Sequence, residues 1–237
     1  MEECDLVLAE SKFFADGLGL TCHARTKARY NYSYIESAAL QIVGNDVLEV
    51  SSFGDYMFNG ISNVEFPLKM ADKYTITKVS KNDYDISFKI KDGTKAEIAT
   101  LKSFKDLVSV SFGDGFRPDQ ENVQGILGDR TGARYSCDYS HIIENVDEFG
   151  QEWQVRPGTD PELFQTKPAI QYPTKCMLKT PGIVGDTHRH LGESISVEDA
   201  TKACKQAGFC LKGAMEACII YDVIAIGDLE AAQFGAF

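Results

Sequence analysis

The segments "YTITKVS" (74–80) and "YDISFKI" (84–90) constrain this chain most. Aromatic and β-branched residues recur in them at every second position, the period of a strand with one face in a core. Lys81, Asn82 and Asp83 between them supply a turn. The same texture runs through "CDLVLAE" (4–10), "LGLTCHARTKARYNYSYI", "SAALQIVG", "DVLEVSS" and "LVSVSFG". Turns fall at Gly44-Asn45-Asp46, at the hairpin dipeptide Asn59-Gly60 and at Asp92-Gly93. Short strands at about 8 to 12 residue spacing, with no long helical period before residue 125, predict a mainly β chain folded as an antiparallel double-sheet sandwich. Parallel βαβ units do not fit this pattern.

Past residue 125 the texture changes. The stretch "GILGDRTGARYSCDYSHIIENVDEFG" reads as loop, and "QEWQV" is a short apolar segment holding Trp153. Residues 156–193, rich in Pro, Gly and Thr, read as an extended connector tied down through Cys176. A helix is expected from "SVEDATKACKQAGF", with Ser196 as N-cap and Glu198 and Asp199 in the first turn, where the helix dipole favours acids. Val197, Ala200, Ala203 and Cys204 share one face, and Gly208 ends the helix. "KGAMEACIIYDVIA" is expected to form a second helix and "DLEAAQF" a final turn. The expected organisation is a β domain over 1–155, a connector over 156–193 and a small α-helical, cysteine-containing subdomain over 194–237.

A formal charge of -11 argues against broad contact with nucleic acid or anionic lipid, both of which reward positive surfaces. It permits divalent cations. The best apolar run, "ACIIYDVIAIG", falls short of the roughly 20 residues of a spanning helix and contains Asp222, so no direct membrane insertion is expected. "MEECDLVLAE" opens acidic and is not a secretion signal. The seven cysteines, Cys4, Cys22, Cys137, Cys176, Cys204, Cys210 and Cys218, contain no CxxC pair. Zinc-finger and thioredoxin readings are therefore weak. Scattered disulfides of an oxidising compartment are preferred over reduced core thiols, with the odd count leaving a thiol unpaired within the monomer or paired to another chain.

The closest approach to a functional motif is "GILGDRTG" (125–132). A phosphate loop needs a Lys and a following helix, and neither is present. An EF-hand counted from Asp129 meets Ala133 at position five and Ser140 at position twelve, and fails. Asp129, Thr131 and Asp138 remain as oxygen donors for a less regular calcium site, against the plain reading of a glycine-rich turn. Asp186, His188 and His190 of "GDTHRH" read as a solvated connector, and His23 and His141 stand alone. Neither Gly-x-Ser-x-Gly nor His-Glu-x-x-His occurs. "NYS" makes Asn31 a glycan acceptor in a secreted chain.

Several segments together resemble the von Willebrand factor type D family. "CDLVLAE" is similar to the strand after the family's opening motif, with Cys4 at a family cysteine. "SVSFGDGFRPDQENVQGILGD" resembles the strand and loop entering its Gly-Leu-Cys-Gly-Asn segment. "DEFGQEWQV" (147–155) is similar to its Phe-Gly-x-x-Trp-x-Val ending. "ACIIYDVIAIGD" (217–228) resembles the cysteine-rich helical module that often follows. Over nearly its whole length the chain looks most like D-type domains of large proteins of diatoms and related algae. The resemblance implies an extracellular or cell-surface domain of an adhesion, matrix or lipid-transport protein, with calcium near Gly125-Ile126-Leu127-Gly128-Asp129. Here Asp129 stands at the family's Asn, Thr131 at its next acid and Leu127 at its loop cysteine, the expected partner of Cys4. The family's opening Gly-Asp-Pro-His would precede residue 1, which implies a truncated chain. A β domain missing an edge strand would expose unpaired backbone groups and favour self-association.

The leading functional expectation is a non-enzymatic extracellular structural, adhesion or protein-interaction domain, contacting other proteins or matrix components. The alternatives are an oxidative enzyme of the luciferase kind that carries such domains, and a lipid-carrier accessory domain.

Overall fold

The computed structural model describes residues 4–29, 32–42, 44–83, 85–116, 122–127, 134, 136, 140–166, 195–208, 215–216, 218–224 and 226–233. Two compact units divide the chain: Met1–Ala28 with Ser33–Lys179, and Arg29–Tyr32 with Thr180–Phe237.

Two antiparallel meanders make the first unit's sandwich. The first sheet orders β1 (Cys4–Ser11), β2 (Leu20–Arg29), β3 (Tyr32–Ile42), β4 (Val47–Ser51), β5 (Tyr56–Phe58) and β6 (Ile61–Ser62) side by side. The second runs β11 (Leu107–Phe112), β10 (Glu97–Phe104), β9 (Asp85–Lys91), β8 (Tyr74–Ser80) and β7 (Leu68–Met70). Alternation in the strands puts Leu40, Ile42, Leu48 and Val50 of the first sheet against Ile76, Phe88, Ile90 and Leu101 of the second in one core. Each such apolar side chain contributes roughly 1.5 to 3 kcal/mol on burial. The double-sheet architecture is the one expected from the period-two runs.

Local turn chemistry sets the register. Asn59 and Gly60 take φ of 52° and 75°, the left-handed pair of a two-residue hairpin joining β5 to β6. Asp92 caps the β9–β10 turn by accepting the N–H groups of Thr94 and Ala96, both at 2.9 Å. Between β1 and β2 a single turn, α1 (Phe14–Gly17), drives the Phe14 ring beside those of Tyr74 and Phe116.

The outer edge of β1 is closed between Asp5 and Glu10. Residues 153–155 pair with its start: Val7 donates to the Trp153 carbonyl at 2.8 Å and Val155 to the Asp5 carbonyl at 2.9 Å. Residues 124–127 pair with its end, through the reciprocal bonds of Glu10 and Gln124 at 2.8 Å. A bulge at Leu8 interrupts the β1–β2 register between Val7 and Ala9. It turns two successive carbonyls outward, where Ile126 and Leu127 donate to Val7 and Leu8 at 3.0 Å each.

Part of the stretch read as loop is helical. α2 (Val146–Glu152) starts where the Asn145 side chain accepts the Glu148 N–H at 3.2 Å, and it delivers Phe149 and Trp153 onto Val7 and Ile143. Its short amphipathic pattern gains a buried face only from β1.

In the second unit α3 (Val197–Gln206) begins as expected at Ser196, whose hydroxyl accepts the Asp199 N–H at 3.0 Å. Cys218–Ile224, expected as part of an α-helix, is a π-helical segment. Its wider i→i+5 bonding brings Cys218 and Val223, five apart, into the same buried cluster with Ala200, Cys204 and Ala232. Leu229–Gln233 forms a final 3₁₀ turn. No described helix is long and apolar enough to cross a membrane.

Candidate functional site

Buried ionisable side chains concentrate on the face of the first sheet that points away from the sandwich core. Antiparallel pairing sets Asp5 of β1 directly opposite Arg25 of β2, and Val7 opposite His23. Glu49 of β4 belongs to the same face. Asp5, Arg25, Glu49 and His23 are all buried, His23 completely.

The chain that follows α2 buries them. Leu163 packs on Ala39 and Val47, and Phe164 lies beside them. Arg25 grips Asp5 through Nε at 2.7 Å and Nη2 at 2.9 Å, a fork-to-fork pair that fixes both side chains. Its Nη1 donates to the Thr166 hydroxyl at 2.8 Å, and that hydroxyl donates to Glu49 Oε1 at 2.7 Å. Glu49 Oε2 accepts the Gln165 N–H at 2.7 Å. The Phe164 ring stacks under the guanidinium, with Cζ 4.3 Å from its centroid. One arginine, two carboxylates and a hydroxyl thus form a continuous chain that pins residues 164–166 across the sheet. Each charged group in it has a charged or hydrogen-bonding partner, as burial demands.

His23 is the exception. Among the described residues neither ring nitrogen has a hydrogen-bond partner, and the Phe164 ring centroid lies 6.5 Å away. Burial pushes its pKa down to about 4, so it is neutral near pH 7. Cys22, the neighbour that faces the core, is a free thiol pushed up to about 12 by burial. A thiol held protonated there is chemically quiet.

Of the residues singled out in the sequence, His23 belongs to this face. Asp129, Thr131 and Asp138 lie outside the described residues, as do Asn31, Asp186, His188, His190, Cys137, Cys176 and Cys210. The described part of the glycine-rich stretch, Gly125 to Leu127, serves as an edge partner of β1. Cys204 and Cys218 form a disulfide. Cys4 is disulfide-bonded too. Cys22, named among the disulfide candidates, is not paired, because it points into the sandwich core away from any described cysteine. His141 is exposed, with Nδ1 3.0 Å from the Ser140 hydroxyl. Among the described residues no three His, Cys, Asp or Glu side chains come together as metal ligands.

The Asp5–Arg25–Thr166–Glu49 chain was not anticipated. Its sequence signal is a charged residue at alternate outward positions of β1, β2 and β4, which reads as an ordinary solvent face until a covering segment is known. No protein-family model and no curated protein match the chain.

Proposed function

We propose that this chain is a structural, partner-contacting module of an extracellular protein, of the kind that von Willebrand factor type D domains represent. The observation that carries the reading is the Cys204–Cys218 disulfide. It ties α3 to the π-helical segment inside the buried cluster of Ala200, Cys204, Cys218, Val223 and Ala232, adding a covalent constraint to the burial of small side chains. Such staples persist in oxidising compartments and are rare in the cytosol. The charged groups on the covered face of the first sheet satisfy one another and hold chain segments together, which suits a rigid scaffold.

The test directs the chain into the eukaryotic secretory pathway behind a heterologous leader. The module is expected in the medium, with Cys204 and Cys218 oxidised and Asn31 carrying a glycan removable by an endoglycosidase. Retention of the secreted form as aggregate, alongside a well-folded reduced form made in the cytosol, would overturn the reading.

A further inference from the structure

We propose that the solvent face of the second sheet binds a linear anionic polysaccharide, sulfated or carboxylated. The charge of the chain is unevenly distributed. Residues 68–112, which make this sheet, hold nine lysines against six acids, a net of +3 in a chain of -11, so the remainder carries -14. The register places the lysines in rows with hydroxyl side chains. Lys69 of β7 is opposite Thr75 of β8, which is opposite Lys91 of β9. The next row is Thr77, Lys89 and Thr100, and the one after it Val79, Ser87 and Lys102. Lys69 is exposed, and Thr75, Thr77, Lys89, Lys91, Thr100 and Lys102 are all partly open to solvent.

Strand geometry turns this pattern into a spacing. Lys89 and Lys91, two residues apart, stand about 6.7 Å from each other along the strand, and each crossing to a neighbouring strand adds about 4.8 Å. The face is therefore a regularly spaced array of ammonium and hydroxyl donors on a twisted sheet. The carboxylates that face it are Glu97, 3.7 Å from Lys89, and Asp85, 3.7 Å from Lys81. Lys69, Lys91 and Lys102 have no carboxylate within 4 Å among the described residues. Burial lowers the pKa of Lys102, with Lys81 adding to that and Asp85 opposing it, so an arriving anion relieves an unfavourable charge.

A repeating polyanion matches this array better than the other anionic partners. Nucleic acid bound as single strands uses aromatic stacking platforms, and no exposed aromatic lies in these rows. Membrane surfaces are held by apolar side chains inserted beside the basic ones, and Val79 is the one large apolar side chain exposed there. Protein interfaces centre on Trp, Tyr and Arg and are depleted in Lys, so a second copy is a poor occupant despite its acidity. A sugar polymer uses ammonium groups for its anions and Thr and Ser hydroxyls for its own hydroxyls. The choice of an extracellular polymer rests on the secreted reading above; the charge pattern does not.

The test is retention of the whole chain on immobilised heparin in a salt gradient, against K69Q/K89Q/K91Q/K102Q, the milder K89Q/K91Q, and a control, K202Q/K205Q, in α3. Thermal melts check that each variant folds. Retention of so acidic a chain is expected, with affinity at least about tenfold lower in the quadruple variant, a smaller loss in K89Q/K91Q, and a salt slope shallower by roughly three. Sulfated dextran and polygalacturonate, run in parallel, show whether sulfate or carboxylate is the better anion. Unchanged retention in both sheet variants, an equal loss in the control, or tighter binding to phosphatidylserine vesicles or single-stranded DNA at matched salt would overturn the proposal. A chain that proves cytosolic and reduced yet binds heparin through these lysines would sink the secreted reading and leave this one standing.

Discussion

The Arg25 guanidinium holds both carboxylate oxygens of Asp5, at 2.7 and 2.9 Å, on the face of a sheet where a two-layer sandwich usually meets water. Both side chains are buried because residues 163–166 cross over that face. Removing one partner leaves an uncompensated buried charge, whereas removing both need not. Arg25→Met is expected to lower unfolding stability by roughly 3 to 5 kcal/mol, and Asp5→Asn with Arg25→Met to recover a large part of it. Urea unfolding of the two variants and the parent measures this. Equal losses in the single and double variants would mean that the pair does not act as a unit.

Gly125 approaches β1 too closely for any side chain. A Cβ there would stand 2.7 Å from the Leu8 carbonyl oxygen, and its φ of 118° is one that other residues avoid. Gly125→Ala therefore has to break the bonds that Ile126 and Leu127 make to the β1 bulge. It is expected to cost on the order of 2 kcal/mol and to speed amide exchange at Ile126 and Leu127. Wild-type protection of those amides in the variant would contradict the edge assignment.

His23 gives stability a defined pH dependence. Its folded pKa, about 4, lies below its ordinary 6.5, so between those values the unfolded chain binds the extra proton. Stability then rises with pH through that window and falls as acid is added, by up to about 1.4 kcal/mol per unit and roughly 3 kcal/mol in all. Glu10, whose pKa is raised mainly by burial, works in the opposite sense. The informative quantity is the difference between the parent and His23→Leu. The parent is expected to lose more stability than the variant between pH 6.5 and pH 4. Parallel pH profiles would show that His23 is not held neutral.

The strands and their turns were legible because their causes are local. Period two in "YTITKVS", φ > 0 at Asn59-Gly60 and the Asp92 side-chain turn need only a few neighbouring residues. The covered face was not legible. Asp5, His23, Arg25 and Glu49 occupy outward positions that in isolation belong to solvent, and their burial depends on Leu163 to Thr166, more than a hundred residues away. Gly125 shows the same limit: within "GILGDRTG" it is one glycine of three, and only β1 explains why that position tolerates nothing else. Cys22 and Cys204 are alike as sequence; strand alternation in β2 turns one thiol into the sandwich core, while the buried face of α3 brings the other to Cys218.

The redox state of Cys204 and Cys218 in native material tests the functional account most directly. Protein alkylated as it is released from its own cells, digested without reduction and read by mass spectrometry, is expected to contain the Cys204–Cys218 linked peptide. Cys22 should react with the alkylating reagent only after unfolding. Recovery of Cys204 and Cys218 as separately alkylated thiols would contradict a disulfide-braced extracellular module.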